Sequence, residues 1–292
     1  MRKKIFALGF FDGVHLGHQA LIAQCVRLSG AQGAQPAAIT FAQHPQSFFA
    51  EMPPALINTV AQREALLKQY GIEAVYALPV NKEVMSTPWR SFLEKLMDLG
   101  AVGFVCGDDF RFGFRGEGDA EKLASFCAER GLVCVTVSQQ SIDGIRISST
   151  HIRRLLEAGD VQKANAFLGH PHVLTGTVVS GRQLGRTIGV PTANLHLPEG
   201  VLVPKFGVYA CRACFDGQNY PAVTNVGTRP TVGGSHVTVE PWILDFSGDL
   251  YGKDILLEFH AFLRPETKFA SLEALQKEIQ KNAQQTRDFF EK

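Results

Sequence analysis

The chain has 292 residues, of which 45% are hydrophobic and 20% charged, the balance of a folded protein rather than a disordered one. Its 29 Lys plus Arg against 28 Asp plus Glu leave a formal net charge of +1, which argues against a broad nucleic-acid-binding face. No apolar run is long enough to span a bilayer, and the stretch after Arg2, Lys3 and Lys4 breaks at Gly9 and Asp12. Neither a membrane span nor a signal peptide is expected, and the expected compartment is the cytoplasm.

Strand and helix alternate through the first half. Residues 5–8 read as a buried strand, 19–28 as a helix, 37–41 as a strand, 61–70 as a helix and 74–78 as a strand. A helix over 88–99, a strand over 102–106, a helix over 120–130 and a strand over 133–137 continue the alternation. Such an order predicts a parallel sheet with helices on both faces, whose ligands bind beyond the carboxyl ends of the strands. The pattern changes near Gly169, His170 and Pro171. Short strands follow at 173–179, 190–195, 208–215, 220–225, 237–245 and 255–262, with Pro and Gly between them, as in a small antiparallel barrel. A final helix opens on Ser271 as N-cap, with Leu272, Leu275, Ile279, Ala283 and Thr286 on one stripe. The predicted domains are 1–165 and 166–292.

Six cysteines are scattered, and only Cys211 and Cys214 have CxxC spacing. In a strand, residues three apart point to opposite faces, so reduced thiols are expected there rather than a zinc or redox pair.

The turn after the first strand reads GFFDGVHLGH over 9–18. Its glycines let backbone approach a ligand, and the helix beyond offers free amides and a positive dipole. His15 and His18 flank Gly17, where both imidazoles can face one triphosphate and stabilise charge on its oxygens. No GxxxxGK[ST] is present, so this is no P-loop, and no GxGxxG follows the strand. Ser148, Ser149 and Thr150 supply hydroxyls and amides at a helix start, with Arg153 one turn on as a second clamp for phosphate. In the second half, Gly181, Gly185 and Gly189 make a loop able to wrap phosphates, with Arg186 as cationic partner. Thr192 and Asn194, read as neighbours on one face of a strand after Pro191, carry hard oxygen donors suited to Mg²⁺ on ATP phosphates.

Taken together these segments resemble the bacterial bifunctional riboflavin kinase/FMN adenylyltransferase (FAD synthetase) family. GFFDGVHLGH resembles its HxGH-containing motif, FAQHP over 41–45 its Phe-x-Pro-His-Pro, GDDFRFG over 107–113 its flavin-side loop, and ISSTHIR over 147–153 its late serine motif. Residues 176–194, GTVVSGRQLGRTIGVPTAN, resemble the riboflavin kinase signature. The chain departs from the family's pattern at Phe10, Gln43, Ser180, Arg182 and Pro241.

The resemblance implies a Rossmann-like nucleotidyltransferase domain followed by a Greek-key β-barrel with a C-terminal helix. It implies that ATP phosphorylates riboflavin to FMN on the barrel and that a second ATP adenylylates FMN to FAD, both with Mg²⁺. In the first domain His15 and His18 would be catalytic. Gly9, Phe11, Asp12, Gly17, Ser148, Ser149, Thr150 and Arg153 would bind ATP there, and His44, Asp109, Phe110 and Phe112 the flavin. In the second, Glu240 matches the family's catalytic glutamate, with Asp245 and Glu258 as rival strand carboxylates. Gly181, Gly185, Arg186 and Gly189 would hold ATP, and Thr192 and Asn194 the metal. Pro241 cannot donate to a ladder, so Glu240 is expected at an edge or bulge. The partners implied are riboflavin, FMN, FAD and ATP, with no nucleic acid and no membrane, on a monomer or weak homo-oligomer. Two other readings stay open: one active domain only, or a flavin-sensing or carrier module without turnover.

Overall fold

A computed structural model describes residues 2–181, 189–231 and 234–291. The chain divides into two compact units, residues 1–151 and 152–292.

The first unit is built on five parallel strands in the order β3-β2-β1-β4-β5. They are β1 (Lys4–Leu8), β2 (Gln35–Phe41), β3 (Ala74–Leu78), β4 (Ala101–Gly107) and β5 (Val133–Val137). Alternate residues of β1 serve opposite faces. Ile5 and Ala7 pack with Ile22 and Cys25 of α1 (Leu16–Ala31) and Leu67 of α2 (Val60–Gln69). Phe6 and Leu8 pack with Phe104, and with Leu93 and Leu96 of α4 (Trp89–Asp98) and Leu123 and Phe126 of α5 (Ala120–Arg130). Covering both faces is why these strands read as continuous apolar runs instead of alternating ones. The short helix α3 (Lys82–Met85) and the hairpin β6 (Ser141–Ile142)–β7 (Ile145–Arg146) were not signalled by periodicity, being shorter than its window. Because β1 pairs with β2 on one side and β4 on the other, its carboxyl end is where the strand order reverses. In open α/β sheets that is the place where ligands bind.

Helices α6 (Ser149–Ala158) and α7 (Val161–Leu168) lead into the barrel of the second unit. Its closed order is β10-β11-β12-β9-β8-β13, antiparallel throughout. The strands are β8 (His172–Val179), β9 (Asn194–His196), β10 (Gly207–Phe215), β11 (Gln218–Thr231), β12 (Gly234–Ile243) and β13 (Asp254–Arg264). Closure leaves no long unpaired edge. Asn165 ties α7 to it, donating from Nδ2 to Phe259 O (2.8 Å) and accepting from His172 N (2.8 Å). The last helix, α8 (Leu272–Phe290), begins where the sequence predicts: Ser271 Oγ accepts from Ala274 N at 3.2 Å.

Two strand expectations are corrected. The strand expected over 190–195 is confined to Asn194–His196, because Pro191 has no N–H to give a ladder. Asp245 lies beyond the end of β12 in the left-handed region (φ 58°), exposed and paired with Arg287 at 2.9 Å.

One buried imidazole makes the barrel acid-sensitive. His172 is fully buried beside the Phe259 ring, and burial, helped by the neighbouring His170, pushes its pKa down to about 3. A histidine depressed in the fold but ordinary in the unfolded chain contributes stability above the unfolded pKa, ~6.5. That stability is lost as pH falls from there towards 3. Between pH 7.5 and 5 the linkage amounts to about 2 kcal/mol of unfolding free energy, at 1.36 kcal/mol per unit. Denaturant titration at both pH values should show this loss in the wild type and a smaller one in His172→Phe; equal losses would refute the assignment.

Candidate active site

In the first unit the segment 9–18 sits at the carboxyl end of β1. Phe11 and Val14, neither a glycine, are held at φ 57° and 38°, and residues of this kind persist in that region only where the surroundings fix them. Phe11 is fully buried, and its ring lies so close to Gly9 that an added Cβ would sit 2.9 Å from it. Gly17 has a similar reason: a Cβ there would meet the His15 ring at 3.3 Å.

His15 is the N-cap of α1, and its Nδ1 accepts from His18 N at 3.3 Å. Nδ1 is thus an acceptor, which puts the proton of the neutral ring on Nε2 and makes that atom a donor. The His15 and His18 rings stack at 3.6 Å between centroids, 14° from parallel, and Phe11 meets His18 edge-on at 5.3 Å. Burial, then His15 and Arg63, hold the His18 pKa well below the usual imidazole range. His18 is therefore a neutral donor across physiological pH. Its buried Nδ1 has no hydrogen-bond partner.

Asp12 lies in the same turn, inside the fold. It is buried, its carboxylate accepting from Ile57 N at 3.0 and 3.2 Å and Asn58 N at 3.3 Å, with the Arg63 guanidinium at 3.9 Å. The late serine motif meets the same turn. Ser148 Oγ accepts from His151 N (3.2 Å) at the start of α6, and Ser149 Oγ donates to Asp12 O (2.8 Å). Thr150 is exposed beside them, and Arg153 follows one turn along α6. His44 begins the short 3₁₀ turn Pro45–Phe48, its Nδ1 accepting from Gln46 N at 3.2 Å and its ring edge-on to Phe10 at 5.1 Å. Asp109 pairs with Arg146. Phe110 and Phe112 stack at 5.7 Å, and the structure separates their roles: Phe112 is buried against Trp89 and Phe92, leaving Phe110 as the outer ring.

In the second unit a cavity of about 690 Å³ opens between the barrel and α8, the size of a small-molecule site. Val190, Val208, Val223 and Trp242 form its barrel side, and Leu272, Leu275 and Ile279 its roof. Only the distal part of the predicted stripe, Ala283 and Thr286, is packed, while Leu272 is 62% exposed at the mouth. An apolar stripe facing a cavity is suited to an apolar ligand. Glu240, Asn225, Thr192 and Glu266 add polar groups to the same wall. A second, polar cleft of about 270 Å³ is lined by Thr192, Ala193 and the turn 246–251. Thr192 lines both.

Glu240 stands opposite Asn225 on β11, next to Val239, which pairs with Leu195 of β9; beyond it Ala193 N donates to Pro241 O, at 2.9 Å. Neither rival carboxylate lines the large cavity. Glu258 is engaged elsewhere by His260 (3.1 Å) and Arg212 (3.5 Å), with His260 chiefly holding its pKa down. Glu266, by contrast, was not anticipated; it belongs to an irregular segment without a periodic signal. Gly181 lies against the Asn194 side chain, where a Cβ would come within 2.2 Å of its nitrogen, and Gly189 has φ 71°. Gly185 and Arg186 lie outside the described residues.

Comparison with known proteins covers both units. Residues 1–151 match the family model for FAD synthetase, and residues 168–290 that for riboflavin kinase. A Listeria monocytogenes protein named bifunctional riboflavin kinase/FMN adenylyltransferase is 35% identical over 293 residues, 99% of this chain and 93% of its own. One of the same name from Pseudomonas fluorescens is 37% identical over 279 residues, 94% of this chain and 89% of its own. A crystal structure from Streptococcus pneumoniae, described as a macrolide-efflux protein, is 31% identical with a TM-score of 0.90, covering 98% of this chain and 94% of that one. Among the described residues, no helix is long and apolar enough to cross a membrane.

Proposed function

We propose, from the premise that this chain belongs to the family of bifunctional riboflavin kinase/FMN adenylyltransferases, that it carries out both reactions and divides them between its two units. On the barrel, ATP phosphorylates riboflavin to FMN. On the parallel sheet, a second ATP adenylylates FMN to FAD and releases pyrophosphate. The functional divide lies near residues 165 and 166, within the stretch 152–167 that neither family model claims.

The observation that carries the kinase reading is the position of Thr192 between an apolar cavity and a polar cleft, with Glu240 on the apolar side. The cavity suits the isoalloxazine, and the cleft suits the nucleotide. Glu240 then takes the proton of the ribityl hydroxyl as it attacks the γ-phosphate. Thr192 and Asn194 offer neutral, hard oxygens that suit Mg²⁺, which when bound would neutralise charge on the ATP phosphates. Gly181 and Gly189 bring backbone amides to the same phosphates, with Gly185 and Arg186 assigned there by sequence.

On the sheet the FMN phosphate is itself the nucleophile, so alignment and charge stabilisation matter more than a base. His15 and the neutral His18 donate to the α-phosphate as its charge grows. Gly9 and Gly17 make room for the Phe11 and His15 rings that shape the turn, and the start of α6 with Ser148, Ser149, Thr150 and Arg153 supplies amides and a cation for the remaining phosphates. Phe11 and Asp12 act by shaping the turn. His44, Asp109 and Phe110 form the flavin side, with Phe112 backing Phe110. The enzyme is placed in the cytoplasm as a monomer or weak homo-oligomer, and FAD leaves as product.

Purified protein with ATP and Mg²⁺ should convert riboflavin to FMN and FAD, and FMN to FAD, by chromatography. FMN without FAD would refute the sheet assignment, and FAD from FMN alone the kinase assignment. Tight flavin binding without conversion in either mixture would favour a carrier.

A further inference from the structure

Arg63 has no partner role in either reaction as described, yet it is a fully buried cation at the centre of the adenylyl-transfer unit. It enters the core from the first turn of α2, whose start is fixed by a reciprocal cap: Thr59 Oγ1 accepts from Gln62 N and Gln62 Oε1 accepts from Thr59 N. One turn before Leu67, it occupies a position where helical spacing calls for an apolar residue. A buried guanidinium is stabilised by hydrogen bonds and an opposing charge, which here engage its two terminal nitrogens, while Nε has no hydrogen-bond partner among the described residues.

Its contacts join three segments that are remote in sequence. Nη1 donates to Thr40 Oγ1 (3.1 Å) and to Phe41 O (2.7 Å) at the end of β2, just before His44. The guanidinium faces the Asp12 carboxylate at 3.9 Å and lies over the Phe10 ring at 4.5 Å, both in the turn that carries His15 and His18. Thr40 Oγ1 donates onward to Phe10 O at 2.6 Å, closing the connection, and the Phe10 and His44 rings meet nearly at right angles, 5.1 Å between centroids. Arg63 thus holds the phosphate-side turn and the flavin-side turn by one rigid fork.

We infer that Arg63 is the positioning residue that sets the distance between the two substrates of adenylyl transfer, by clamping the turn bearing His15 and His18 to the turn bearing His44. The inference rests on the assignment of FMN adenylylation to this unit. Two substrates must meet in line, and a misplacement of about 1 Å can cost about 10² in rate. A lysine keeps the charge but cannot bridge Thr40, Phe41 and Asp12 at once or stack flat on Phe10. Charge facing Asp12 is therefore not all that the position demands; planar, forked geometry is needed as well.

The test compares Arg63→Lys, Arg63→Met and Phe10→Leu with the wild type, measuring steady-state FMN adenylylation and riboflavin phosphorylation in the same preparations. Arg63→Lys should lose about 10² in kcat for FAD formation. The KM for ATP should change little and that for FMN should rise. Phe10→Leu, which leaves the buried ion pair in place, should move the FMN KM in the same direction by a smaller factor. Riboflavin phosphorylation should stay at the wild-type rate in all three. Arg63→Met tests folding: if only stability were at stake, the loss of FAD formation would track the folded fraction measured by circular dichroism, with both KM values unchanged. That outcome, or wild-type kinetics in Arg63→Lys, overturns the inference. A wild-type protein that makes no FAD from FMN would instead sink the assignment of the reaction to this unit.

Discussion

Replacing Glu240 by glutamine is expected to lower riboflavin phosphorylation by about 10²–10⁴, the usual contribution of a positioned general base. Glutamine matches the shape and keeps a hydrogen bond to the ribityl hydroxyl, but it cannot accept the proton. The loss should therefore fall on kcat, with the riboflavin KM within a few-fold of wild type. Conversion of FMN to FAD should be untouched, because the substitution lies in the other compact unit. The cavity holds a second carboxylate, Glu266, which makes the experiment discriminating. If Glu266→Gln lost phosphorylation and Glu240→Gln retained it, the base would be Glu266. Glu258→Gln should leave the rate near wild type, since that carboxylate is paired with His260 and Arg212 outside the cavity.

Replacing His18 by alanine should lower FMN adenylylation by about 10²–10³, the cost of removing one donor aimed at developing charge. Its protonation state gives the second readout. With its pKa held well below the ordinary value, His18 is neutral at neutral pH, so the wild-type rate should show no rise on mild acidification. A rate climbing as pH fell towards 6, and no longer climbing in the alanine variant, would mean that the imidazolium is the working form. The stacked geometry argues against a doubly protonated pair, because two charged rings 3.6 Å apart would repel. Riboflavin phosphorylation in the same variant serves as the folding control and should be unchanged.

Together these substitutions would separate two chemistries that need different things from the protein. The kinase step creates an alkoxide-like nucleophile and needs a proton acceptor beside a dry cavity. The adenylyl step starts from a phosphate that is already ionised and needs donors and alignment. In the proposed reading Glu240 would meet the first need and His18 the second, each in its own compact unit. Arg63 adds that alignment is built into the core beneath the histidines.

Local chemistry was legible in the sequence. The alternation of strands and helices, the change to short punctuated strands near residue 170, the Ser271 cap and the histidine turn each depend on a few neighbouring residues, and each is where the spacing predicted. Proline's missing donor, applied to residue 191, would also have shortened the strand that was drawn through it. What depended on distant residues was not legible. Phe110 and Phe112 carry the same side chain two positions apart, and only packing against Trp89 and Phe92 buries one in the core and leaves the other half-buried against it. Asp12 reads as a phosphate-side acid until Ile57, Asn58 and Arg63 are seen around it. Glu266 and Glu240 are 26 positions apart in the chain and share one wall of a cavity. The sequence by itself determined which elements form and which motifs stand at their ends, because helix caps, turns and pleats are settled within a few residues. Tertiary structure alone decided which polar groups are buried as supports and which face a ligand, because burial is a property of what packs on a side chain from elsewhere.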